Sequence, residues 1–128
     1  MVETVMMDAE DIRRSLDRMS HEIMEKHRDL HLLLLLGIHT RGVPLAKRIA
    51  SNISEWDGAN ILTGALDISL HRDDLAASPL GQFVSRTDIP VDISGCGVVL
   101  VDDVLFTGRT IRAALNAMTQ FGRPMRVQ

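Results

Sequence analysis

The run Val98-Val99-Leu100-Val101-Asp102-Asp103-Val104-Leu105-Phe106-Thr107-Gly108-Arg109-Thr110 sets the fold class. Four apolar residues, three of them β-branched, read as a strand buried on both faces of a parallel sheet. Two acids end the run. The Thr-Gly-Arg-Thr stretch then leads into a helical pattern that places Ile111, Ala114, Leu115 and Met118 on one side. Strand, loop and helix in this order put the loop at the carboxyl end of the strand, where open α/β sheets seat their ligands.

The loop offers two kinds of chemistry. Thr107, Gly108, Arg109 and Thr110 open a helix, so their backbone N–H groups lack intrahelical partners and can face an anion. Gly108 allows close backbone approach, and the two threonine hydroxyls add donors. Asp102 and Asp103 instead suit sugar hydroxyls or a hydrated Mg²⁺. A phosphate seat beside a pair of hydroxyl acceptors describes a ribose 5-phosphate pocket. Two commoner nucleotide motifs fail. A phosphate-binding P-loop needs Lys where Arg109 stands and Gly where Asp103 stands, and Gly95-Cys96-Gly97 precedes its strand instead of following it.

Val98–Thr110 resembles the signature of type I phosphoribosyltransferases, enzymes that bind phosphoribosyl pyrophosphate (PRPP). The flanking stretches GIHTRG (37–42), LHRDD (70–74), DIPVDI (88–93) and VDDVLFTGRTIRAAL (101–115) are similar to one branch, the pyrimidine operon attenuation regulators with uracil phosphoribosyltransferase activity. The likeness runs from about Asp8 to the last residue. It implies an α/β fold with a parallel-dominated sheet flanked by helices, a single domain over 1–128, and the reaction of uracil with PRPP to give UMP and pyrophosphate. A phosphoribosyltransferase for a purine or orotate, and an RNA-binding regulator without catalysis, remain the alternatives.

The resemblance also assigns residues. Asp102 and Asp103 would hold the ribose hydroxyls and, through PRPP, Mg²⁺. Val104, Leu105, Phe106, Thr107, Gly108, Arg109 and Thr110 would form the 5-phosphate loop. Thr40, Arg41 and Gly42 match the loop for the leaving pyrophosphate, with His39 standing where the family has a basic residue. Arg72 matches an arginine of the active-site lid, in the long unpatterned stretch before Asp88. The first helix would belong to a surface for a messenger RNA leader, with UMP as effector. Arg14, Arg18, His21 and Arg28 fall near one line of it, with Arg13, Lys26 and His27 close by. Asp17 stands where the family has a small hydroxyl residue, and a carboxylate there would repel phosphates. Homo-oligomers, dimers or higher, are implied by the family alone. Family members continue through further strands, so the resemblance implies a C-terminally incomplete fold.

Composition agrees with a globular domain. The chain has 128 residues, 45% hydrophobic and 24% charged, enough for one domain with a real core. A net charge of -3 means that nucleic-acid binding needs a local patch, not the overall field. A lone cysteine, Cys96, excludes an intrachain disulfide and fits a reducing cytoplasm. The acidic N-terminus does not read as a signal peptide, and the apolar run 32–38 is too short to span a bilayer.

The remaining elements are read from spacing. Asp8 caps a helix to about Arg28 with Ile12, Leu16, Met19 and Ile23 toward the core. Leu32–Ile38 is a buried strand, followed by a helix from near Pro44 to about Ser54. Ile61–Leu70 reads as a strand, Phe121-Gly122-Arg123-Pro124 as a helix stop, and Met125–Gln128 as the start of another strand.

Overall fold

The computed structural model describes residues 8–69, 86–103 and 108–128. In chain order these form α1 (Ala9–Lys26), β1 (Leu33–Ile38), α2 (Gly42–Asp57), β2 (Leu62–Leu66), β3 (Gly97–Val101), α3 (Gly108–Met118) and β4 (Arg126–Val127). The sheet is ordered β2-β1-β3-β4, and each neighbouring pair is parallel. The α/β class expected from the sequence, a parallel sheet with helices on both faces, is therefore what the described residues build.

The central strands explain this architecture. Every residue of β1 is buried, so the run Leu33-Leu34-Leu35-Leu36 needs cover on both faces. Leu33 and Leu35 join Val99 and Val101 against Leu16 and Ile23 of α1 and Ala46, Ile49, Ala50 and Ile53 of α2. On the opposite face Leu34 and Leu36 meet Val98, Ile93 and Met118 of α3. Each fully buried leucine contributes about 2–3 kcal/mol through removal of its apolar surface from water.

Local capping places the helices. Asp8 accepts from Asp11 N–H at 2.8 Å, and the Asp11 carboxylate accepts from Asp8 N–H, a reciprocal box that fixes the start of α1. Gly58 ends α2 at φ 84°, the left-handed conformation that glycine adopts without strain. At the far end of the chain Arg126 donates to Lys26 O at 2.7 Å, and His27 Nε2 lies 3.0 Å from Gln128 Oε1. Gly97 makes room for that imidazole, since a Cβ there would lie 2.7 Å from His27 Nδ1.

Two helix faces differ from their sequence reading. Ile12 and Met19 of α1 are exposed, Met19 at 45%, while Ser20 is fully buried beside Leu16 and Ile23. Ser20 can occupy the core because its hydroxyl donates to Leu16 O at 2.7 Å and lies 3.3 Å from Asn52 Nδ2. In α3, Ala113, Ala114, Ala117 and Met118 face the sheet, and Ile111 and Leu115 are exposed. Small alanines let the helix close on Ile38, Leu66 and Ile68. Boundaries shift as well. Leu32 lies in a 3-10 turn (Leu30–Leu32), β2 stops at Leu66, and α2 begins at Gly42.

Candidate active site

Three strand ends meet at the carboxyl edge of the sheet. From β1 the chain passes through His39, Thr40 and Arg41 into α2, and the His39-Thr40 peptide is cis. Arg41 occupies the N-cap position, so its guanidinium and the free amides of the first helical turn share one location. From β3 the chain reaches Asp102 and Asp103. Arg41 Nη1 lies 3.4 Å from Asp103 Oδ2, which joins the two loops across the sheet. Asp102 is half-buried and accepts from Asp103 N–H at 2.8 Å, which orients the acid pair.

Close packing of backbone makes this meeting possible. A Cβ on Gly42 would overlap the carbonyl oxygen of Val101 and lie 3.2 Å from Asp102 Cα. A Cβ on Gly37 would overlap the backbone of Gly42 and Val43. Glycine at both positions lets the loop after β1 rest against the end of β3. Thr40, Arg41, Gly42, Asp102 and Asp103 thus lie at one edge of the sheet, with Arg41 facing Asp103 and Gly42 against Val101 and Asp102.

Thr110 is half-buried in the first turn of α3. Gly108 and Arg109 begin that helix. Arg72 and Val104, Leu105, Phe106 and Thr107 lie outside the described residues. Among the described residues no three His, Cys, Asp or Glu side chains converge on a metal-sized site. Two adjacent carboxylates, Asp102 and Asp103, could face a hydrated Mg²⁺ carried in by a phosphorylated substrate.

One further acid belongs to this edge and has no signature in the sequence. Asp67, immediately after β2, is buried, with Oδ1 accepting from Ser69 N–H at 3.0 Å and from Ser69 Oγ at 2.6 Å. Its Oδ2 accepts from Arg86 N–H at 3.1 Å, and Arg86 Nε lies 3.6 Å away. Burial alone would raise this carboxyl; the hydrogen bonds from Ser69 and Arg86 and the Arg86 charge outweigh it and hold the group at about 2. The folded-state value is depressed, so the stabilisation is full above the unfolded value near 4 and is lost as pH falls toward 2. A shift of that size corresponds to about 2 kcal/mol. Chemical denaturation at pH 6 and pH 2.5 should show Asp67→Asn losing clearly more stability relative to the unmodified chain at the higher pH than at the lower. Equal differences at both pH values would refute the ionised role.

The exposed face of α1 carries the other expected residues. Arg14, Arg18 and His21 are all exposed, and Arg14 Nε lies 3.4 Å from Glu10. The Asp17 carboxylate does not stand open as expected. It accepts from Arg13 Nη1 at 3.1 Å and from Asn52 Nδ2 at 3.1 Å, which turns its charge toward protein donors. His27, expected near this face, is buried. His21 stacks on Trp56 of α2 with ring centroids 4.2 Å apart and planes 6° from parallel. Trp56 remains 41% exposed, a flat aromatic surface that helical spacing within α1 alone could not reveal.

Comparison with known proteins agrees with this geometry. The model of the phosphoribosyl transferase domain family matches residues 8–124. The chain is 52% identical over 126 residues to the bifunctional protein PyrR of Chloroflexus aurantiacus, covering 98% of this chain and 69% of that relative. It is 53% identical over 128 residues to the bifunctional protein PyrR of a Roseiflexus species, covering 100% and 70%. Among solved structures, a hypoxanthine-guanine phosphoribosyltransferase of Bacillus anthracis superposes with a TM-score of 0.71 at 13% identity, over 100% of this chain and 71% of that one. A purine phosphoribosyltransferase of Pyrococcus horikoshii gives 0.65 at 19% identity, over 91% and 68%. At such identities these two structures speak for the fold alone.

Proposed function

The chain belongs to the phosphoribosyl transferase family and, within it, to the bifunctional PyrR proteins, and from that membership we propose that it transfers phosphoribose from PRPP to uracil and regulates pyrimidine synthesis by binding a messenger RNA leader. One observation carries the catalytic half. The Arg41–Asp103 contact brings the loop suited to pyrophosphate within reach of the acid pair suited to ribose.

Bond formation at the anomeric carbon passes through a state with oxocarbenium character, so charge placement does the catalytic work and no covalent nucleophile is needed. Asp102 and Asp103 accept from the ribose hydroxyls and lower the energy of positive charge developing on the ring. Arg41, Thr40 and the first amides of α2 take up negative charge on the departing pyrophosphate. From the family resemblance, Thr107, Gly108, Arg109 and Thr110 would bind the 5-phosphate together with Val104, Leu105 and Phe106 of the same loop, and Arg72 would bind the pyrophosphate. Asp102 and Asp103 would face a Mg²⁺ brought in with PRPP, which would supply further neutralisation of the leaving group.

The test is UMP formation from uracil, PRPP and Mg²⁺, with hypoxanthine and orotate as parallel substrates. Uracil-selective turnover is expected. Turnover with a purine or orotate would move the chain to another base, and PRPP binding without turnover would leave the regulatory half alone.

The regulatory half rests on α1. Arg14, Arg18 and His21 face outward, Asp17 is engaged by Arg13 and Asn52, and the His21–Trp56 stack offers a face for an unpaired base. Combined Arg18→Ala and His21→Ala should weaken leader-RNA binding roughly 10- to 100-fold and leave UMP formation unchanged. Affinity in the unmodified chain should fall with salt and rise with UMP. Filter binding across a salt series checks this, and unchanged affinity in the double variant would remove α1 from the RNA surface. Family resemblance further supports a cytoplasmic homo-oligomer, dimer or higher. Among the described residues no helix is long and apolar enough to cross a membrane.

A further inference from the structure

We propose that Asp67 is a positioning residue for the loop that carries Arg41, acting through Arg86 and His39. This rests on the reading of that loop as the pyrophosphate seat. Asp67 holds the backbone of Arg86 through the N–H of that residue at 3.1 Å, and its own N–H donates to Thr87 Oγ1 at 2.9 Å. Together with the reciprocal backbone pair between Ala65 and Asp88, these contacts fix the chain at 86–88 against the end of β2. Arg86 O then lies 3.0 Å from His39 Nε2. A carbonyl oxygen only accepts, so the ring proton sits on Nε2 in this contact. The backbone N–H of His39 donates to Leu66 O at 2.9 Å.

His39 is consequently anchored twice to the end of β2, once by its backbone and once by its ring. Thr40 and Arg41 follow directly, and Arg41 reaches Asp103. An apolar side chain of similar size would fill the site of Asp67 without desolvating a charge, but it could not orient Arg86. The carboxylate therefore serves geometry: it sets where the loop after β1 begins. Supporting shells of this kind hold binding groups in productive alignment.

The test uses Asp67→Asn, His39→Ala and the double variant. Asparagine at 67 turns an amide donor toward Arg86 N–H or toward Ser69, so one contact is lost. His39→Ala removes the ring and leaves the buried carboxylate intact, which separates positioning from folding. Each single variant should raise the KM for PRPP about tenfold, with kcat and the KM for uracil nearly unchanged. The double variant should be no worse than the worse single one, because both act through one path. His39→Gln, whose amide can donate, should recover most of the loss.

Amide hydrogen exchange over residues 39–42 without ligand provides a reading independent of PRPP. It should quicken in both single variants. Additive effects on KM, or unchanged exchange in His39→Ala, would overturn the relay. Quickened exchange in a chain that never binds PRPP would place the error in the pocket reading and leave the mechanical coupling standing.

Discussion

Asp103→Asn is expected to lower UMP formation by about two to three orders of magnitude while the melting temperature stays within a few degrees. The substitution removes a charge and keeps the volume. Asp103 is partly exposed, so no buried cavity follows from the change. Its carboxylate faces Arg41 at 3.4 Å, an ion pair between exposed partners whose loss costs at most about 1 kcal/mol. Turnover is a different matter. A carboxylate beside the anomeric centre opposes the positive charge that develops there, and a neutral amide supplies much less of that field. Steady-state assays with saturating uracil, run beside circular-dichroism melts, measure both quantities. Turnover within a factor of three of the unmodified chain would exclude the acid pair from charge stabilisation.

Asp103→Asn should also affect PRPP binding less than turnover. Ribose hydroxyls still donate to an amide oxygen, about half as strongly as to a carboxylate oxygen, so the ground state keeps its hydrogen bond at a loss of about 1 kcal/mol. The transition state loses the field. A fall in kcat larger than any rise in KM is the signature of an interaction made chiefly in the transition state.

The parts of this molecule that were legible from sequence share a cause. Leu33–Ile38 and Val98–Val101 are continuous apolar runs because both sheet faces are covered, and such runs need no knowledge of partners. Asp8 is equally local, since it acts within four residues of itself. Helix faces were read less well. Met19 and Ser20 exchange expected places because the Ser20 hydroxyl is satisfied by Leu16 O, a bond invisible to hydropathy. Ile111 and Leu115 lie outward because small alanines, not large aliphatics, face the sheet in α3.

Residues defined by distant partners escape a linear reading altogether. Asp67 meets Arg86 and Thr87 about twenty positions later, and only the Asp-x-Ser turn at 67–69 hints at a special acid. Asp17 looked repulsive because its partners, Arg13 and Asn52, were not visible together. The pairing of Arg41 with Asp103 spans two crossovers of the sheet. Sequence could name both residues but not their distance.

Gly42→Ala is the second large effect, and it links the fold to the site. The added methyl would overlap Val101 O, a backbone atom at the end of the central strand that has no rotamer by which to move aside. Either β3 shifts, or the loop after β1 lifts away from it. The first route strains the buried ladder between β1 and β3, in which Gly37 pairs with Val101 one residue before the acid pair. Overpacking against fixed backbone of this kind costs about 3 kcal/mol, or roughly 10 °C in melting temperature for a chain of this size. The second route preserves stability but carries Arg41 away from Asp103 and weakens PRPP binding. Calorimetric melting and PRPP titration on the same preparation tell the routes apart. Both lead to loss of the pocket, because the contact between Gly42 and Val101 is the same contact that sets the spacing of its two halves. A variant that melts normally and binds PRPP normally would show that this spacing is not what the pocket depends on.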